Sequence, residues 1–141
     1  MPGKLGCQSP AAIHQGHGRD EVREARAVAD RKILVMLTGE QIGHGDDGLG
    51  GLLLLNFLKT LKEMRPDLWR LVLVNGAVKL TAEGSEGLPH LQELADSGVS
   101  ILVCGTCLNH FQLLEKKQVG ETTNMLDIVT SLQLADSVIN P

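Results

Sequence analysis

Apolar positions along the chain alternate between short unbroken runs and longer stretches at helical spacing. The first run, Ile33-Leu34-Val35-Met36-Leu37, closes on Thr38-Gly39. A solid run without polar alternation is the pattern of a strand buried on both faces. Leu71-Val72-Leu73-Val74, stopped by Asn75-Gly76, and Val99-Ser100-Ile101-Leu102-Val103 repeat it. Between the first two runs, a polar, Gly-rich loop (Gly39 to Gly48) leads into a helix predicted over Leu49 to Met64. There Leu54, Leu58 and Leu61 recur on one side, Lys59 and Lys62 fall outside, and Pro66 lies just past the end. A long loop through Leu88-Pro89 precedes a second helix, about Pro89 to Ser97, with Gly98 as its stop. Leu108 to Leu114 reads as helical and Gln118-Val119-Gly120 as a short fourth strand. Thr123 to Ala135 reads as a helix with Met125, Ile128, Val129 and Leu132 on one face, and Ser137-Val138-Ile139 as a last short strand.

Strands that alternate with helices, each strand a solid apolar run, indicate a parallel sheet covered on both sides. Right-handed crossovers leave few ways to connect them. The expected fold is a three-layer α/β/α domain over residues 31–141, with a five-stranded, mainly parallel sheet. Residues 1–30 are different. Met1 to Gly18 mixes Gly, Pro, Ser and His without apolar period and reads as disordered; Asp20 to Asp30 has helix formers but only small apolar residues, so a partly helical extension is the alternative.

Composition narrows the function. The chain has 141 residues, enough for one domain with a proper core, and hydrophobic residues make up 43% of it. Aromatics are 2%, so the core is aliphatic, and base-stacking platforms of the kind that read single strands or RNA are missing. A formal charge of −4 gives no electrostatic footprint for nucleic acid. No apolar run approaches the roughly 20 residues that cross a bilayer. The opening MPGKLGCQSP has no apolar h-region, so a cytoplasmic location is expected. In that compartment a close cysteine pair is redox-active or metal-binding rather than a structural disulfide.

In open parallel sheets, ligands bind outside the carboxyl ends of the strands. The loops there contain GEQIGHGDDG, NGAVKL, CGTC and GETTN. Fold and cysteine usage therefore converge on Cys104-Gly105-Thr106-Cys107. Cys104 should leave a strand and Cys107 should enter the first turn of a helix, where free backbone N–H groups favour a thiolate. Gly105 permits the tight turn that turns both sulfurs toward one crevice. One thiol of such a pair commonly ionises early, giving the nucleophile for disulfide exchange or for carrying sulfane sulfur. The plain alternative is two small side chains packed beside a turn.

Two further readings compete. Cys104, Cys107 and His110 have C-x2-C-x2-H spacing, but a zinc site needs a fourth ligand, and Cys7 is the only other thiol; neither a metal nor a cofactor is expected. Gly43-His44-Gly45-Asp46-Asp47-Gly48 matches the letters of the dinucleotide fingerprint, yet Thr38 to Ile42 separate it from its strand, two carboxylates would face the pyrophosphate, and the second strand ends in Asn75 instead of an acid. Capping of the following helix is the better use of Asp46 or Asp47. Asn75-Gly76 and Gly120 read first as turns, with Gly43, Gly45, Asn75, Gly76, Gly105, Thr106, Gly120 and Asn124 as candidate binding positions. Lys79 could supply positive charge near the thiols, or simply be a solvated lysine.

The ordered motifs GHGDDGLG, NGAVKLT, CGTCLNHF and VGETTNM, with a closing LADSVI, make the chain from about Ile33 onward resemble the C-terminal DsrE-like domain of YedF proteins, which are described as sulfurtransferase-like proteins of selenium metabolism. The resemblance implies a DsrE-like α/β/α fold, assembly as homo-oligomers, and traffic of sulfur or selenium as a protein-bound persulfide-type adduct. It implies Cys104 as the acceptor and Cys107 as a second or resolving thiol. YedF proteins usually carry a TusA-like domain with a Cys-Pro-X-Pro motif ahead of this one; here Cys7 is followed by Gln8, so the implied donor is a separate TusA-like protein or a cysteine desulfurase. The alternatives are a non-catalytic binding or assembly module and a dithiol-disulfide oxidoreductase using the same pair.

Overall fold

The first apolar run forms strand β1 (Ile33–Leu37) with the predicted bounds, and the other buried runs form β2 (Leu68–Leu73) and β3 (Ser100–Cys104). The computed structural model describes residues 30–141, and Arg31–Pro141 make one compact unit. The expectations for residues 1–29, Cys7 among them, lie outside the described residues. With β4 (Glu121–Thr123) and β5 (Ser137–Ile139), the described residues contain one five-stranded sheet of order β4-β3-β2-β1-β5, every neighbouring pair parallel.

The order explains the layers. From β1 to β4 each connection steps the same way across the sheet, so right-handed crossovers put their helices on one face. These are α1 (Asp47–Thr60), α2 (Leu88–Asp96) and the short α3 (Gly105–His110). The return from β4 to the far edge at β5 carries α4 (Met125–Leu134) to the other face. Leu34, Leu71, Val72, Leu73 and Val103 are sealed between the layers with Leu54 and Leu58 of α1, Leu91 and Leu94 of α2, and Ile128 of α4.

Local chemistry sets the helix ends. Asp46 has extended backbone and its Oδ1 accepts from Leu49 N–H at 2.8 Å, so α1 begins at Asp47, two residues before the apolar pattern suggests. Leu61–Met64, expected as α-helix, tightens to a 3-10 turn. α2 stops as expected at Gly98 (φ +103). Gly98 N–H donates to Ala95 C=O and Val99 N–H to Leu94 C=O, which is the Schellman pattern.

Five further expectations are corrected. Residues Asn75–Thr81, expected as loop, form a 3-10 segment because Ala77, Val78 and Leu80 turn into the core. β2 starts at Leu68 rather than Leu71. α3 covers 105–110 rather than 108–114. The fourth strand lies at 121–123, not 118–120: Gly120 turns with φ +86 directly against β3, and pairing begins only beyond it. The predicted apolar face of α4 also differs. Ile128 is buried, but Met125 and Val129 face outward.

Candidate functional site

Cys104 is the last residue of β3 and the N-cap of α3; Cys107 is the third residue of that helix. The strand-to-helix junction thus brings an N-cap and its N3 position together, and the two thiols lie within side-chain hydrogen-bonding reach. Their exposures differ. Cys104 is 4% exposed, whereas Cys107 is half-buried, and both are free thiols.

The 3-10 segment after β2 supplies the third member. Asn75 sits in the left-handed region (φ +53), a conformation Asn tolerates better than most residues. This turns its backbone N–H to Cys107 Sγ at 3.1 Å. Burial pushes the Cys107 thiol above the ordinary range, helped by its hydrogen bond to Cys104; the Asn75 N–H pulls the other way and is outweighed. The sequence predicts an early-ionising thiol at this helix start. For Cys107 the direction is the opposite, because burial dominates and the neighbouring group is another thiol instead of a cation.

Lys79 does not act on the sulfur. Its Nζ lies 3.8 Å from Glu40 Oε2 and 4.5 Å from the centre of the Phe111 ring, at the far end of α3.

The candidate binding positions separate into three groups. Asn75, Gly105 and Thr106 lie beside the thiols, and Gly76 follows Asn75 with its would-be β-carbon 3.9 Å from Gly39 Cα. Gly105 is closely packed: a β-carbon there would lie 3.1 Å from both Thr122 Cγ2 and the Thr123 carbonyl oxygen, so β4 sits tightly against the junction and a side chain would have to push it back by a few tenths of an ångström. Thr106 is exposed beside it. Gly120 and Asn124 hold the scaffold, Gly120 against Ile101 and Val103, and Asn124 by capping α4, its Oδ1 accepting from Asp127 N–H at 2.9 Å. Gly43 (φ +82) and Gly45 (φ +130) shape the exposed loop after β1, with nothing within 4 Å of where their β-carbons would be. In that loop the Asp46 carboxylate already occupies the start of α1, where a pyrophosphate would bind. Among the described residues no three His, Cys, Asp or Glu side chains converge as a metal site, and His110 instead meets Phe111 edge-on at 4.9 Å.

A cleft of about 730 Å³ opens beside α1, lined among others by Glu40, Asp47, Gly51, Leu52, Lys79, Glu83 and Glu86. The sequence reading missed it. The acidic turn Glu83-Gly84-Ser85-Glu86-Gly87 was the available signal, but only the fold brings it opposite α1. No helix of the described residues is long and apolar enough to cross a membrane.

Sheet order and helix placement define an α/β protein of DsrE-like fold. Among solved structures the chain is similar to the crystal structure of the ychN protein from E. coli, with a TM-score of 0.62 and 21% sequence identity over 79% of this chain and 99% of that one. At that identity the likeness shows the fold alone. No family model and no curated protein matches the sequence.

Proposed function

We propose that this chain is a thiol carrier for sulfur or selenium, of the YedF type, working on the Cys104–Cys107 pair in the cytoplasm. The observation that carries this reading is the pairing of one reachable and one shielded thiol at the carboxyl end of β3. The resemblance gives the adduct to Cys104. Exposure adds an order: Cys107 receives the sulfur, and Cys104, behind it, holds it away from solvent.

In the first step the Cys107 thiolate attacks the terminal sulfur of a donor persulfide. The donor's S–S bond breaks, its thiolate leaves with the electron pair and takes up a proton, and Cys107 carries –S–SH. Attack of the Cys104 thiolate on that same terminal sulfur then transfers it and returns Cys107 to the thiol. No net oxidation occurs in either step. The donor is a separate TusA-like protein or a cysteine desulfurase. The chain assembles with copies of itself through α4 and β5, where Met125, Leu126, Val129, Leu134 and Val138 leave large apolar surfaces exposed.

Intact mass tests the reading. After incubation with glutathione persulfide, the wild type should gain about 32 Da per sulfur atom. Cys107→Ala should lose that gain. Cys104→Ala should load but release the sulfur faster to a thiol acceptor. A wild type that takes up no mass ends the carrier reading. Because the thiols are within hydrogen-bonding reach, a dithiol-disulfide oxidoreductase is the second reading; its mark is loss of about 2 Da with a Cys104–Cys107 disulfide. A binding module without turnover would show neither change.

A further inference from the structure

We infer that the cleft beside α1 is the docking groove for a basic, leucine-anchored segment of the protein that exchanges sulfur with the thiol pair. This rests on the carrier reading and adds the chemistry of the partner.

Charge is the first argument. The rim carries Glu40, Asp47, Glu83 and Glu86 against the single cation Lys79, and Lys79 is already paired with Glu40. Among the described residues Asp47, Glu83 and Glu86 have no cationic partner, although Asp47 also complements the start of α1. Such a rim selects and steers a positively charged segment.

One side of the groove carries leucines of α1. Leu52 lines it at 55% exposure, and Leu49 and Leu53 extend the same stripe of α1 at 54% and 42%. An exposed leucine stripe at helical spacing beside a concave surface is a seat for an aliphatic anchor. Gly51 adds to this. A glycine inside a helix is intrinsically unfavourable, and here no packing requires it, since a β-carbon would meet nothing within 4 Å. Its effect is to keep the wall of the groove low, so that a visiting backbone can come close.

Position ties the groove to the thiols. Lys79 lies in the same 3-10 segment as Asn75, whose N–H touches Cys107, and its ammonium covers the ring of Phe111 at the end of α3. A segment seated here would hold its parent protein beside Cys107. A second copy of this chain fits less well. An isologous pairing sets each surface against its own kind, so the acidic rims of two chains with net charge −4 would face one another.

The probe is a short synthetic peptide with a Leu-Leu pair flanked by lysines, titrated into the full chain labelled with nitrogen-15. The amides of Gly51, Leu52, Ser85 and Gly87 should shift, and salt should weaken binding. The Glu83→Gln/Glu86→Gln double variant should bind about fivefold more weakly. Gly51→Leu should fill the groove and abolish binding while still melting cooperatively, and a peptide with glutamates in place of the lysines should not bind. Equal binding of the acidic peptide, wild-type affinity in both variants, or no shift at these amides overturns the inference. So does self-association of the chain that Gly51→Leu abolishes, which would give the groove to a second copy. Loading of the wild type from glutathione persulfide judges the carrier reading separately: if it fails while the peptide binds as described, the groove stands and the cargo is wrong.

Discussion

Replacing Gly120 by Ala adds one methyl group at the point where the chain turns into β4. The new β-carbon would stand 2.8 Å from Val103 Cγ2, 3.0 Å from Ile101 Cγ2 and 3.1 Å from the Ile101 carbonyl oxygen. Ile101 and Val103 are buried strand residues, so these neighbours have little room to give way. Two costs add. Holding an L-residue at the left-handed φ of +86 costs about 1–2 kcal/mol. Forcing a methyl into packed surroundings costs about 1–3 kcal/mol more. The sum, roughly 2–5 kcal/mol, is a large part of the ~5–15 kcal/mol that keeps a domain folded. With the unfolding entropy usual for a domain of about this size, the Tm should fall by roughly 10–20 °C.

The assay is thermal unfolding followed by far-UV circular dichroism, with Gly51→Ala measured alongside. Gly51 lies inside α1 with open space around its would-be β-carbon. Alanine there should stabilise by about 0.5–1 kcal/mol, and the Tm should rise by a few degrees. The opposite signs carry the test. A Tm for Gly120→Ala close to that of the wild type, or a lowered one for Gly51→Ala, would refute the reasoning about where space exists. Because β4 rests against Gly105, displacement in Gly120→Ala should also speed alkylation of Cys107.

Three further outcomes are expected. Cys104→Ala removes both the hydrogen bond and the charge repulsion that raise the Cys107 thiol, while burial still raises it; the midpoint of iodoacetamide reaction against pH should move down, and an unmoved midpoint would mean the two thiols do not interact. Folded Cys107 keeps its proton to higher pH than the unfolded chain does, so the native state binds more protons in that window. Its contribution is intact below the unfolded thiol's pKa and is lost as pH rises through the folded one; urea titrations from neutral to alkaline pH should show the decline, and Cys107→Ser should flatten it. Asn124→Ala removes the Oδ1 acceptor for Asp127 N–H at the start of α4 and should cost about 1 kcal/mol in urea unfolding, with wild-type stability counting against the cap.

The central strands were readable because a strand segment buried on both faces must be apolar at every position, as residues 33–37, 71–73 and 101–103 are. Their edges were not. β4 is Glu-Thr-Thr, with only Thr123 buried, so its polar residues look like loop while Gln118-Val119-Gly120 looks like strand. Gly105 has the same ambiguity. Glycine reads as a helix breaker, yet here it is the first residue of α3, with β4 packed close against it. For α4, helical spacing identifies a stripe but not what it packs on. The helix instead sets Ser131 over Arg70, whose Nη1 donates to Ser131 Oγ at 2.7 Å, and leaves Met125 and Val129 outside. The thiol pair was visible as a motif, but the 3-10 segment that hydrogen-bonds it and the groove beside it depend on contacts between residues far apart in the chain.

The raised Cys107 thiol bears on which chemistry the pair suits. A strong disulfide oxidant needs a thiolate that its surroundings stabilise, so that the reduced form is favoured. Burial and a thiol neighbour act in the other direction at Cys107, which weighs against a strong disulfide oxidant. The same property makes Cys107 a weak attacker of free persulfides and oxidants at neutral pH. A partner seated in the adjacent groove would overcome that weakness by raising the local concentration of its own persulfide rather than by changing the sulfur. A reluctant thiol beside an acidic, leucine-lined seat is therefore consistent as one device: it loads slowly from small persulfides and faster when the right protein docks.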